Sequence, residues 1–255
     1  ELDIGEIISV DHRADINDSV ALDRVISDVK PEVVIHMAAQ AIVRESYVNP
    51  LETYITNVIG TVRLLDSVRR SKSVRSVVVV TSDKCYENTQ TDPSYFVETD
   101  RLGGADPYSS SKACAELVTQ AYRDSFLSGQ KRNLVGLATA RAGNVIGGGD
   151  ASAYRLIPDV IRAINCNIEL EVRNPESIRP WQHVLDPLSG YLLLCENLFN
   201  NPRKFSGAWN FGPTREAMVP VRTVLDKVSS ICGDEFSWRP SAVEDGLYEA
   251  PILKL

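Results

Sequence analysis

Two short segments carry residue types able to move protons. Thr81-Ser82-Asp83-Lys84-Cys85-Tyr86 sets a hydroxyl, a carboxylate and an ammonium in succession directly after the apolar run Ser76–Val80. Such a polar cluster at a strand end is either a turn that caps the departing chain or a reactive centre. Further on, Tyr108 and Lys112 stand four residues apart, ahead of the helical recurrence Ala113, Leu117, Val118, Ala121. That spacing puts phenol and ammonium on one helix face, where the cation depresses the phenol's pKa and makes it a usable base.

These side chains need a frame. The runs Glu32–Ala39, Ser76–Val80, Leu134–Ala140, Ile168–Val172 and Ala208–Phe211 read as strands, with Glu6–Val10 as a sixth. The first two are β-branched and do not alternate, as a sheet covered on both faces requires. Leu22, Val25, Ile26 and Val29 recur at helical spacing behind the cap candidates Asn17 and Asp18, and Leu51, Ile55, Val58, Val62, Leu65 and Val68 alternate steps of four and three. Strand and helix taking turns predict an α/β fold, a doubly wound parallel (Rossmann-like) sheet with right-handed crossovers. After about Gly147 strands thin out and Pro158, Pro175, Pro180 and Pro187 accumulate, which predicts a small irregular lobe on the sheet's carboxyl edge, where ligands of open sheets bind.

Composition excludes several classes. The 255 residues carry 27 Lys plus Arg against 34 Asp plus Glu, a net charge of −7, so the basic footprint of a nucleic-acid binder is missing. With 44% apolar and 24% charged residues the chain has the make-up of a soluble globule. Five scattered cysteines without a CxxC, and only 3 His, predict reduced thiols and no metal site. The longest apolar stretches, such as Tyr191–Cys195, fall far short of the ~20 residues of a membrane span, and no secretory pattern is visible. A cytoplasmic protein is expected.

In order along the chain stand His36-Met37-Ala38-Ala39-Gln40, Asn57-Val58-Ile59-Gly60-Thr61, Thr81-Ser82-Asp83, the Tyr108/Lys112 pair and Arg141-Ala142-Gly143-Asn144-Val145. This series resembles the extended short-chain dehydrogenase/reductases, the NAD-dependent epimerase/dehydratase family. TSDKCYE (81–87), DPYSSSKACAELV (106–118), ARAGNVIGGGD (140–150), RNPESIRPWQHVLDPLSGYLLL (173–194) and AWNFGP (208–213) resemble, more narrowly, its CDP-glucose 4,6-dehydratase group. The resemblance implies a nucleotide-sugar substrate, CDP-glucose, with NAD as cofactor and a hydro-lyase reaction. Residues 1–150 would form the NAD-binding part and 151–255 mainly the sugar-nucleotide lobe, with a stretch such as 184–212 returning to the sheet.

It also implies roles. Tyr108 would take the proton of the sugar 4-hydroxyl, Ser82 orient that oxygen, and Lys112 hold down the phenol's pKa and bind the nicotinamide ribose. Asp83 would be the acid for the departing 6-hydroxyl, and Lys84 either the base for the C5 proton or an electrostatic partner of substrate or Asp83. Asp15 and Ile16 would lie beside adenine, and Ala38, Ala39 and Gln40 would face ribose and diphosphate. Asn57 would be either an exposed polar residue or a hydrogen-bonding buffer near Lys112. On the substrate side stand Asn144, Arg179 as a phosphate clamp, and Arg44, Ser46 and Arg155; His183 reads as structural. The helices at 49–71 and 108–129 match the pair through which such enzymes dimerise, so a homodimer is expected.

One expected feature is missing. No GxxGxxG turn opens a first βα unit, and Gly147-Gly148-Gly149 comes too late in the chain to replace it. The chain is therefore expected to be truncated at both ends. Three readings stand: a 4,6-dehydratase, another epimerase or reductase of the family, or a noncatalytic binding fragment.

Overall fold

Helices begin where the sequence supplies caps. In the computed structural model, which describes residues 4–88, 94–127, 134–242 and 246–255, the Asp18 carboxylate accepts the Ala21 N–H at 3.0 Å and starts α1 (Ser19–Val29). There follow β1 (Val33–His36), α2 (Val43–Val48), α3 (Pro50–Tyr54), a π-helical turn over Ile55–Ile59, α4 (Gly60–Arg70) and β2 (Ser76–Val80). Next come α5 (Pro107–Tyr122), β3 (Gly136–Ala142), β4 (Asn144–Ile146), α6 (Leu156–Cys166), β5 (Leu170–Val172), β6 (Ile178–His183) and α7 (Leu185–Asn200). α8 (Pro202–Phe205), β7 (Gly207–Phe211), β8 (Met218–Pro220), α9 (Val221–Cys232) and β9 (Trp238–Pro240) complete the order.

The main sheet runs β1-β2-β3-β7, every pair parallel. Its central strand explains the covering. Val77 and Val79 face Ile26 of α1, Leu64, Leu65 and Val68 of α4 and the end of α5; Val78 faces Tyr191, Leu194 and Leu198 of α7 on the other side. All three valines are at most 1% exposed, and each contributes about 1.5–3 kcal/mol by its burial. Helices on both faces make the sheet doubly wound, as the strand and helix alternation predicts.

Beyond the carboxyl ends the chain changes sheets. Only Gly143 separates β3 from β4, which joins β6 and β8 in a three-stranded sheet, while β5 pairs with β9. The second apolar cluster of this region holds Val160, Ala163, Val172, Leu225 and Phe236, independent of the main core. β4, β6 and β8 are too short or too rich in polar residues to show in the sequence pattern.

Two expectations need correction. Glu6–Val10 is no strand: Ile4–Glu6 form a 3-10 turn, and Ile7 is 81% exposed, with no neighbouring strand among the described residues to complete a ladder. The run at Ile168 enters its strand only at Leu170 and lies outside the main sheet, because its parallel partner is Trp238–Pro240.

Candidate active site

α5 is placed by its first turn. Asp106 caps it, accepting from the Ser109 N–H at 2.9 Å and the Ser109 hydroxyl at 2.5 Å, and Pro107 supplies a preset φ. The Tyr108 N–H donates to Ser46 Oγ at 3.1 Å. The loop before the helix passes so close that a Cβ on Gly104 would lie 2.5 Å from the Ser109 and Ser110 backbone. Tyr108 thus enters a cavity of about 540 Å³ at the carboxyl ends of β2 and β3.

Ser82 leaves β2 extended and caps the 3-10 turn Asp83–Cys85, its Oγ accepting from Lys84 N at 3.2 Å. The same hydroxyl also hydrogen-bonds the Tyr108 phenol and donates to Asp83 Oδ1 at 3.0 Å. Asp83 Oδ2 is buried without a partner among the described residues, and Asp83, Lys84, Ser82 and Tyr108 all line the cavity.

Burial separates the proton affinities of this group. It pushes the Asp83 carboxyl up, against the opposing charges of Lys84 and Arg179, and pushes the Lys84 ammonium down, with Arg179 adding to the effect. A carboxyl shifted up and an amine shifted down are the directions that acid and base work requires of such a pair. Burial likewise raises the Tyr108 phenol to about 12, more than its bond from Ser82 and the Arg155 charge offset. The Lys112 ammonium lies 5.9 Å from the ring centre of Tyr108.

Lys112 itself is 5% exposed and bonds the Val80 carbonyl at 3.4 Å. An ammonium has three donors, so donor capacity remains for a ligand's hydroxyls. Behind it Asn57 is buried in the π-helical turn, a geometry common at functional sites, and ties two elements together. Its Oδ1 accepts from Gln40 N at 2.8 Å; its Nδ2 donates to Gln40 O at 3.0 Å and Ser111 Oγ at 2.9 Å. Asn57 is thus a buried, fully bonded residue and not an exposed polar one. Ala38 and Ala39 continue from β1 toward this clamp, with Ala38 exposed. Asp15 is exposed and caps its own turn through Asn17 N at 2.7 Å, while Ile16 packs on Gly60, 2.9 Å from where a Cβ would sit.

On the other wall Asn144 of β4, Arg155, and Arg179 of β6 line the cavity. Arg155 pairs with Asp150 at 3.1 Å, and Arg44 lies over the Tyr154 ring at 5.0 Å. Arg179 is 4% exposed and donates to the Pro251 carbonyl at 3.2 Å and to Glu249 at 3.3 Å. Ser46 departs from its expected substrate role: it is fully buried, outside the cavity wall, and its hydroxyl serves Val43 O and Tyr108 N. His183 is exposed and accepts from Leu185 N at 3.3 Å.

Glu249 is the residue that the sequence reading missed. Lys84, Arg179 and Arg173 hold its carboxyl below the ordinary range against burial. It reaches the cavity because 246–255 straps the site: Tyr47 OH donates to Tyr248 O at 3.0 Å, Asn88 to Ile252 O at 2.7 Å, and Leu253 N to Ile178 O at 3.1 Å.

Comparison with known proteins gives the fold and the family. The chain is 49% identical over 246 residues to the CDP-glucose 4,6-dehydratase of Salmonella typhimurium, an alignment covering 96% of this chain and 68% of that relative. The solved structure of the Thermus thermophilus UDP-glucose 4-epimerase with NAD superposes with a TM-score of 0.80 at 21% identity, covering 95% of this chain and 75% of that one. For the dTDP-glucose 4,6-dehydratase of Bacillus anthracis with NAD the TM-score is 0.73 at 21% identity, over 95% and 69% of the two chains. At those identities the structures establish the fold. The family model described as GDP-mannose 4,6 dehydratase matches residues 8–231, and the chain belongs to that family.

Proposed function

We propose that this protein is a sugar-nucleotide 4,6-dehydratase acting on CDP-glucose with NAD. The observation that carries the reading is Asp83-Lys84 in one turn, Asp83 Oδ2 unpartnered, beside the Ser82 and Tyr108 hydroxyls in one cavity. An epimerase has no need of a second acid and base pair. The base carried by the nucleotide is taken from the Salmonella relative.

Tyr108 accepts the proton of the sugar 4-hydroxyl, with Ser82 orienting that oxygen. NAD, when bound, supplies the oxidising chemistry at C4 and returns the same hydride to C6. The 4-ketone acidifies C5–H, Lys84 takes that proton, and Asp83 gives its proton to the departing 6-hydroxyl, which leaves as water. Burial of the Tyr108 phenol makes the nearby cations matter: Lys112 and the cofactor's nicotinamide charge both favour its ionised form. Lys112 has donors left for the ribose, and Asn57 holds the Gln40 backbone, which follows Ala38 and Ala39 on the cofactor side. Asn144, Arg155 and Arg179 face the diphosphate, with Arg179 exchanging Glu249 for phosphate oxygens.

A homodimer fits the apolar side chains left outside on the two helical stretches: Leu51 is 73%, Ile59 42%, Leu117 55% and Phe126 57% exposed. Sedimentation of the protein and of Leu117→Glu tests this, a monomer in both cases refuting it. No described helix is long and apolar enough to cross a membrane. Five unpaired cysteines suit a reducing cytoplasm. The test of function is incubation with CDP-glucose and NAD and mass analysis of the sugar nucleotide. Loss of one water, abolished in Tyr108→Phe, supports the reading; unchanged mass with a new sugar supports an epimerase, and no bound nucleotide a noncatalytic fragment.

A further inference from the structure

One turn beyond Lys112 on α5 lies a carboxylate outside the cavity. Glu116 is 3% exposed and accepts three charged or polar donors: Arg141 Nη2 at 2.7 Å, Thr139 Oγ1 at 2.7 Å and Thr81 Oγ1. Thr81 directly precedes Ser82, and Thr139 and Arg141 belong to β3, so one carboxylate ties the helix of Tyr108 and Lys112 to both strand ends. Arg141, 3% exposed, continues the network to Tyr86 OH at 2.8 Å and the Glu98 carbonyl at 3.1 Å; Tyr86 donates to Asn210 at 2.6 Å on β7.

A buried ion pair contributes little to stability against apolar replacements, so its presence behind a catalytic lysine asks for another reason. We propose that Glu116 is a positioning residue that keeps Lys112 in its cationic form and α5 in register with the strand carrying Ser82. This rests on the dehydratase reading of the site.

The surroundings of Lys112 support it. From its own helix Tyr108 and Glu116 face it, from the 83–85 turn Cys85, and from β1 His36; Arg141 approaches Glu116 from β3. Burial pushes the ammonium down to about 8, and the charges of Glu116 and Cys85 oppose that fall. Cys85 is buried and its thiol is pushed up, so at neutral pH it stays uncharged. His36 is driven down to about 4 and is neutral as well. Glu116 is therefore the anion that favours the lysine's charge. Side chains at i and i+4 lie about 6 Å apart, close enough for an interaction of roughly one pH unit or more in a buried setting.

The test reads Lys112 directly, by 15N NMR titration of its Nζ in lysine-labelled protein, assigned with Lys112→Met. Two variants are needed. Glu116→Gln keeps the shape and removes the charge but leaves Arg141 unpaired; Glu116→Gln/Arg141→Gln removes both charges and restores a neutral core if the single variant does not fold. The expected result is a downward move of the Lys112 midpoint by roughly one pH unit in either variant, with the alkaline limb of kcat/KM moving the same way. A midpoint unchanged in the folded variant would overturn the proposal, leaving Glu116 a strut. The titration requires no turnover, so failure of the dehydratase reading, seen as no water loss by the unmutated protein, is separate from failure of this one.

Discussion

Ser46→Ala separates a residue that binds substrate from one that places the base. Ser46 Oγ donates to the Val43 carbonyl at 2.6 Å and accepts the Tyr108 N–H at 3.1 Å in a fully buried position. Alanine creates almost no cavity, so the cost is that of a buried backbone donor left without its acceptor, about 1–3 kcal/mol. For a chain of this size each kcal/mol moves Tm by about 2–4 °C. The loss falls on the residue that carries the phenol, so kcat should fall several-fold while KM for CDP-glucose stays nearly unchanged. Thermal unfolding and steady-state kinetics on the same preparation measure both. A rise in KM at constant kcat and unchanged Tm would return Ser46 to the substrate site and refute the positioning argument.

Other variants probe other parts of the frame. His36, 6% exposed and bonded through Nε2 to Thr61 at 3.0 Å, has its pKa lowered from 6.5 to about 4 by burial. Its depressed value means stability that is full above pH 6.5 and lost as pH falls toward 4, about 3 kcal/mol in all; His36→Gln should flatten that part of the stability profile in denaturant titrations, and an unchanged profile would contradict it. Lys84→Ala should bind CDP-glucose in calorimetry yet release no water, whereas turnover near the original rate would remove Lys84 as the C5 base. In Gly143→Ala the new Cβ would lie 2.3 Å from Pro180 Cγ, beside Arg179. Overpacking of about 1–3 kcal/mol and a raised KM are expected, and normal values of both would show that β6 yields there.

Much of the frame is legible because its signals are local. The valine run of β2, the Asp18 cap and the four-residue spacing of Tyr108 and Lys112 each state their structure within a few residues. What escapes is set by distance. Glu249 reaches the cavity because Tyr47, Asn88, Ile178 and Arg179 hold the strap on which it sits, and no periodicity near Glu249 records those pairings. The resemblance puts Ser46 on the substrate side, and its burial against the α5 N-terminus shows that the hydroxyl serves Tyr108 N and Val43 O instead. Spacing likewise shows the cation beside the Tyr108 phenol, but not the burial that raises the phenol.

CDP-glucose deuterated at C4 reads out whether one cavity oxidises C4, expels water and returns the same hydrogen to C6. The expected product is lighter by one water and carries the deuterium in its C6 methyl group. Deuterium still at C4, or lost to solvent, would contradict it.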